Sequence, residues 1–405
     1  MHTYLQANRL RSVANLAFTA VFIIFMANAT PVRAQELPGV RQAMQNFINA
    51  GDMSGAVTVV TTKDKIIHLD AVGLANIARK IPMQANTLFW VASMTKPFTA
   101  VSVLMLQDEG KLKVTDQVSK YIPEFANLKT PSGKPANLTI TQILTHTSGL
   151  GEGNPNDELK AHTLADLMPM FLAAPMQYEP GAQWKYTQSA INVAARIVEV
   201  VGGMPFDQFV KKHILDPLGM THSTFYPEGE ALASRAVGYE KNKSTYVLEA
   251  VEQPAFYSGK KGFPPLGNGG LFTTGPDYAR FCQMLLGGGV FNGKRYLSGD
   301  AMKLLTTIQT GDLPAGFLQT PALGNHGADY GWGIGVCILR RPHAGVASML
   351  SPGTYGHGGA WGTQAWIDPV RGVAYILMVQ RPNLNGDASD LRRVFQQTAS
   401  DGVGR

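Results

Sequence analysis

Apolar residues recur at helical spacing over residues 39–50, and Gly51 follows, which predicts an N-terminal helix. Two β-branched runs come next, Ala56–Thr62 and Ile66–Gly73. Lys63-Asp64-Lys65 joins them, so they read as a hairpin. A second helical pattern starts near Ser93, carries Phe98, Val101 and Met105, and stops at Gly110. From about 115 to 265, helical patterns alternate with Pro/Gly loops. The clearest helix there is Ala190–Val201, closed by Gly202-Gly203. Strand patterns return late, at Gly331–Leu339, Ala360–Ile367 and Val373–Gln380. The last two are linked by Asp368-Pro369-Val370-Arg371-Gly372, and Leu391–Thr398 reads as a terminal helix.

Strands thus come from both ends of the chain and helices from the middle. The economical arrangement is an α+β fold: one antiparallel sheet built from the two ends, flanked by helices, with a mainly helical region inserted. The sheet region is expected at about 35–90 and 266–405, and the helical region at about 91–265. Ser93 falls where the chain leaves the sheet, so a cleft between the two regions is a natural site.

The first 34 residues read differently. Arg9 and Arg11 precede an apolar run, Leu16–Met26. Two small-residue cleavage patterns follow, Ala27-Asn28-Ala29 and Val32-Arg33-Ala34. This is the pattern of an export signal, with cleavage after Ala34 and Gln35 as the first mature residue. The competing reading is an uncleaved membrane anchor, for which the apolar run is short. Cleavage at Ala34 would remove Arg9, Arg11 and Arg33 and no acid, taking the formal charge from +6 to +3. That is no nucleic-acid signature, and no Lys/Arg cluster supplies one. An exported, periplasmic or secreted protein is expected, with a small-molecule substrate and no nucleic-acid partner. An exported chain could pair Cys282 with Cys337. Each lies in an apolar run, and the favoured reading is two buried free thiols.

Chemistry is concentrated at Ser93-Met94-Thr95-Lys96. Residues three apart on a helix share a face. A serine hydroxyl becomes a nucleophile when a base takes its proton, and a lysine one turn on can be that base if it is kept neutral. Ser-x-x-Lys is a short pattern, and Ser258-Gly259-Lys260-Lys261 matches it too. That copy sits among Gly262, Pro264 and Pro265 with no helical run after it, and reads as a loop. The chain has no Gly-x-Ser-x-Gly, no His-Glu-x-x-His, no Cys-x-x-Cys and no Walker A loop.

Further segments stand out in order. They are Asp116-Gln-Val-Ser-Lys-Tyr-Ile-Pro123, Leu144-Thr-His146-Thr-Ser-Gly-Leu150 and Pro180-Gly181 through Tyr186. Asn268-Gly-Gly-Leu-Phe-Thr-Thr274 with Asp277, and His357-Gly358-Gly359, complete the series. Together with Ser93-Met-Thr-Lys96-Pro-Phe-Thr99 they resemble the serine β-lactamase-like hydrolases over about residues 40–385. That group includes class C β-lactamases, related esterases and D-alanyl-D-alanine peptidases.

The resemblance implies an acyl-enzyme on Ser93, with Lys96 and Tyr186 as a coupled base pair whose shared proton the sequence does not place. It implies oxyanion donors at the backbone N–H of Ser93 and of Ala360. Gly358 and Gly359 are expected to let substrate lie against that strand, with His357 and Gln188 at the substrate. No metal or organic cofactor is implied. Gln188 stands where β-lactamases of this type carry Asn, and His357 where they carry a lysine that meets the substrate carboxylate. Both tilt the expectation towards ester or amide hydrolysis. A class C-type β-lactamase or carboxypeptidase is the first alternative. A non-catalytic penicillin-binding sensor is the alternative of another class.

Overall fold

The computed structural model describes residues 36–315, 327–343, 347–383 and 390–404. The export-signal segment predicted over 1–34 lies outside the described residues. The first helix, α1, is Val40–Asn49. It leads into the hairpin β1 (Gly55–Thr61) and β2 (Ile66–Asn76), followed by a short β3 (Ile81–Pro82). Five late strands complete the sheet: β4 (Tyr330–Trp332), β5 (Cys337–Leu339), β6 (Tyr355–Gly358), β7 (Gln364–Asp368) and β8 (Val373–Met378). The eight strands run in the order β4-β5-β6-β7-β8-β1-β2-β3, and every neighbouring pair is antiparallel.

The centre of this sheet is where the two ends of the chain meet, with Val57 opposite Met378 and Thr61 opposite Ala374. All residues of β1 and β8 are buried, because both faces are covered. The period of two sorts them. Ala56 and Val60 pack with Val40 and Met44 of α1 and with Leu391 and Phe395 of the terminal helix Asp390–Val403. Val57 and Val59 face the larger core formed with the inserted region.

Two strand expectations are corrected. Gly331–Leu339 is not one strand but two, β4 and β5, because the chain turns back at Gly333-Ile334-Gly335-Val336, with Gly335 at φ +74°. Ala360–Ile367 splits as well: strand begins only at Gln364, and residues 359–363 form the turn from β6. The hairpin read around Asp368 is present. The Asp368 carboxylate caps it by accepting from the backbone N–H of Val370 and Arg371. Inside the mainly helical stretch there is also an unforeseen hairpin, Gly238–Lys241 with Leu248–Val251. Both cysteines are buried, and Cys282 is a free thiol. Among the described residues no helix is long and apolar enough to cross a membrane.

Two helices position the site. The first, α2 (Lys96–Asp108), is buried from Lys96 through Leu106 and lies in the middle of the larger core. The second, α3 (Ser189–Gly202), packs against α2 and ends at Gly203, whose φ of +69° closes the last turn.

Candidate active site

Ser93 belongs to a 3-10 turn, Ala92–Thr95, that runs into α2 at Lys96. Its neighbour Ala92 has φ +45°, a left-handed conformation that is costly for a residue with a Cβ. The surroundings hold it there. Phe89–Trp90 pairs with Phe272–Thr273, and Val91 N–H donates to Leu271 O. The Thr95 hydroxyl bridges Ala92 O and the Leu271 N–H. Thr99 donates to Gly267 O, and the Trp90 indole to Gly269 O. The 267–272 segment is therefore stitched along the serine turn.

Lys96 is fully buried, and its ammonium position is ringed by oxygen. Nζ lies 3.0 Å from Ser93 Oγ, 2.9 Å from Gln188 Oε1 and 2.7 Å from the Asn268 carbonyl. Burial holds its pKa well below that of a free lysine, against the smaller opposing pull of the Glu152 carboxylate. A neutral amine satisfies this geometry as fully as an ammonium does. Its two N–H bonds go to Gln188 and Asn268, which can only accept, and its lone pair is left facing the Ser93 hydroxyl.

Tyr186 comes from the loop before α3, and Lys96 Nζ lies 4.7 Å from the centre of its ring. His146 brackets this tyrosine. The His146 carbonyl accepts from Lys185 N–H at 2.9 Å, and its Nδ1 accepts from Thr187 N–H at 3.2 Å. Its ring packs on Tyr186 with centres 4.4 Å apart. Because Nδ1 accepts, the neutral ring carries its proton on Nε2. Burial, with Lys96 and His357 nearby, holds the pKa far below the usual histidine range. The residue itself sits at φ +60°.

Glu152 performs a similar task for the next residues. Its two carboxylate oxygens accept from Gln188 N–H at 2.6 Å and Ser189 N–H at 2.8 Å, at the start of α3. A carboxylate there suits the positive end of the helix. Gln188 is thereby held by its backbone, while its side-chain carbonyl also accepts from Asn268 Nδ2 at 2.9 Å. The expected substrate-side glutamine thus turns its carbonyl to Lys96.

On the far side, β6 delivers His357-Gly358 and the turn delivers Gly359 and Ala360. His357 is buried, and its Nδ1–H donates to Gly358 O at 2.6 Å. Burial, with help from Lys96, lowers its pKa to about 3, so the ring is neutral at pH 7. Gly359 has a different duty from the one expected. A Cβ there would lie 2.6 Å from Val91 O and 2.1 Å from Thr363 Oγ1. The absent side chain makes room for the protein's own backbone beside Ser93, not for substrate. Gly358 is half-buried and Ala360 is exposed. The Ala360 N–H has no acceptor among the described residues, whereas the Gly359 N–H is taken by Thr363 O at 2.7 Å.

The structure brings together Ser93, Lys96, Tyr186 and Gln188, with His357 against Tyr186 at 6.0 Å between ring centres. It keeps the second Ser-x-x-Lys apart. Lys261 pairs with Glu228 at 2.7 Å, and Ser258 follows a short 3-10 turn, Ala255–Tyr257, on a loop. Sequence reasoning quoted Asn268 and His146 only as landmarks and passed over Glu152. Asn268 could have been sought as the polar member of a glycine-rich segment. The other two act through backbone N–H groups 36 to 41 residues away, which no local pattern displays.

A mainly antiparallel sheet backed by helices, with a serine at the mouth of a buried helix and a desolvated lysine against it, defines a serine hydrolase of the β-lactamase and transpeptidase fold. The chain belongs to the Beta-lactamase family, whose model matches residues 40–399. It is 31% identical over 381 residues to protein Rv1367c of Mycobacterium tuberculosis, covering 87% of this chain and 92% of that one. A candidate D-alanyl-D-alanine carboxypeptidase of Escherichia coli K12 is 28% identical over 359 residues, covering 81% of this chain and 79% of that one. Among solved structures, EstCE1, described as a hydrolase with promiscuous acyltransferase activity, superposes with a TM-score of 0.74. The match has 21% identity and covers 89% of this chain and 97% of that one, a likeness that speaks to fold alone.

Proposed function

We propose that this chain is an exported hydrolase that cleaves small esters or amides through an acyl-enzyme on Ser93. The observation that carries the reading is the Lys96 amine, buried and held by two fixed acceptors so that its third direction faces Ser93 Oγ at 3.0 Å. Lys96 takes the serine proton as Oγ attacks the substrate carbonyl carbon. The carbonyl electrons move onto oxygen, which the N–H groups of Ser93 and Ala360 receive. Collapse breaks the bond to the leaving alcohol or amine. The proton held by Lys96 passes to that group, with Tyr186 beside Lys96 on the route. Water then attacks the ester of Ser93 with the same base and restores the enzyme. Losing one donor from an oxyanion site of this kind costs about 3 kcal/mol of transition-state stabilisation.

Ester or simple amide cleavage is favoured over specialised β-lactam hydrolysis. His357 is neutral and turned to the Gly358 carbonyl, so it offers no cation to a lactam carboxylate. The Gln188 carbonyl serves Lys96. The experiment pairs a short-chain p-nitrophenyl ester with a chromogenic cephalosporin, each given to the wild type and to Ser93→Ala. Ester turnover that vanishes in Ser93→Ala is expected, with slower cephalosporin turnover. Faster cephalosporin hydrolysis would favour the β-lactamase reading. A stable adduct with no turnover would favour a penicillin-binding sensor. Activity surviving in Ser93→Ala overturns the nucleophile. Export rests on the Arg9/Arg11, apolar and small-residue pattern. N-terminal sequencing of the fractionated protein is expected to begin at Gln35, and a full-length chain in the cytoplasm would contradict it.

A further inference from the structure

A second cavity, of about 410 Å³, opens beside the oxyanion turn. Its walls include Arg235, Ser258, Lys260 and Trp361, with Glu252 and Gln253 at the hairpin side. Its volume falls in the range of small-molecule sites. Its Trp361 wall belongs to the turn beside the reaction centre. Trp361 is the residue after Ala360, one Cα step of about 3.8 Å from the proposed oxyanion donor. Trp90, three residues before Ser93, lies between Trp361 and Tyr257, with ring centres 5.2 and 5.3 Å away. Tyr257 stands between the lining residues Ala255 and Ser258, and its hydroxyl accepts from Asn268 Nδ2, the residue whose carbonyl holds Lys96.

The polar groups of this cavity are unsatisfied in one direction. Arg235 is half-buried and forms no ion pair among the described residues; its one side-chain bond is a long one, 3.3 Å, to the neutral Gln253 amide. Burial lowers its pKa, and Glu252 at the rim is exposed and forms no ion pair with it among the described residues. Ser258 Oγ is buried and has no hydrogen-bond partner among the described residues. Lys260 adds a second positive charge. A guanidinium that has lost water and gained no carboxylate is poised for an anion of matching planar geometry.

We propose that this cavity is a subsite for a carboxylate carried on an arm of the substrate, bound by Arg235 and Ser258 with Lys260 at the mouth. The inference rests on the acyl-enzyme reading of Ser93 and narrows its substrates to esters or amides bearing a second, anionic group. Two series test it: mono-p-nitrophenyl esters of dicarboxylic acids from glutarate to suberate, and carboxyphenyl esters with neutral acyl chains. Each is compared with its length-matched uncharged counterpart. In at least one series the wild type is expected to favour the charged member. Arg235→Gln should lower kcat/KM for that member about tenfold and leave the neutral ester unchanged, with a smaller loss in Lys260→Ser. The same charged-to-neutral ratio in wild type and both variants, across both series, overturns the subsite.

A readout without turnover separates the two readings. Calorimetric titration of Ser93→Ala with adipate and suberate should give binding that weakens about tenfold when Arg235→Gln is added. If no ester is hydrolysed but this difference appears, the acyl-enzyme reading fails and the subsite stands. Equal or absent binding in both proteins overturns the subsite even where esters are hydrolysed through Ser93.

Discussion

Replacing Gln188 by leucine tests the arrangement around Lys96 most directly. Leucine nearly keeps the volume of glutamine but removes Oε1, which accepts from Lys96 Nζ at 2.9 Å and from Asn268 Nδ2 at 2.9 Å. Lys96 is fully buried, so no solvent replaces the lost acceptor. In the proposed mechanism the resting bond comes from a neutral amine and contributes about 0.5–1.5 kcal/mol. In the proposed acylation the serine proton passes to Lys96, and the same bond then comes from an ammonium, contributing about 1.5–3 kcal/mol. The barrier therefore rises by the difference, about 1–1.5 kcal/mol, or close to a tenfold fall in kcat/KM. Gln188→Ala should lose less, because the space it leaves admits a water that accepts in place of the amide. The assay is kcat/KM for a short p-nitrophenyl ester, with melting temperature recorded to show that both variants fold. A Gln188→Leu enzyme within twofold of wild type, or an alanine variant more impaired than the leucine one, would refute the assigned role of the carbonyl.

Glu152→Gln keeps an acceptor at the start of α3 but removes the charge that holds the Lys96 pKa up. The acid limb of the kcat/KM profile, where Lys96 takes up a proton, should move to lower pH; an unmoved limb would separate Glu152 from Lys96. Gly359→Ala places a methyl group 2.1 Å from Thr363 Oγ1 and 2.6 Å from Val91 O. It should destabilise the protein by about 1–3 kcal/mol and lower kcat by about a hundredfold as Ala360 is displaced, and a variant normal in both would remove the constraint argued for that turn. His68 is buried neutral, with Nδ1 accepting from Leu37 N–H and Nε2 bonded to Thr58 Oγ1; burial lowers its pKa to about 4. The unfolded chain takes up that proton below about pH 6.5, so the stability His68 contributes is whole above that pH. It is lost towards pH 4, at roughly 1.4 kcal/mol per pH unit. His357 acts in the same sense. Denaturant midpoints measured from pH 7 to 5 should fall, less steeply in His68→Gln, and a flat wild-type profile would contradict this.

The Ser93 pattern and the second one at Ser258 are alike in letters, and what separates them shows how far sequence reaches. Ser-x-x-Lys brings hydroxyl and amine together only where the chain winds on, and the apolar run after Lys96 announced that it does. The same periodicity disclosed α3, and the β-branched runs at both ends disclosed the sheet. It failed where glycine sets direction. Gly331–Leu339 has the composition of one strand, yet the turn at Gly335 makes it two, and the run from Ala360 hides the turn that carries the proposed oxyanion donor. Nor could periodicity show what surrounds the lysine proposed as base. That depends on the Asn268 carbonyl and the Gln188 amide arriving from segments 172 and 92 residues away. It depends also on Glu152 and His146 fixing the loop around Tyr186 through its backbone N–H groups. Such contacts use groups that every residue possesses, so no residue type marks them. The tetrapeptide supplies a hydroxyl and an amine; the folded surroundings bury that amine against two fixed acceptors and lower its pKa, and this sets Ser93 apart from Ser258.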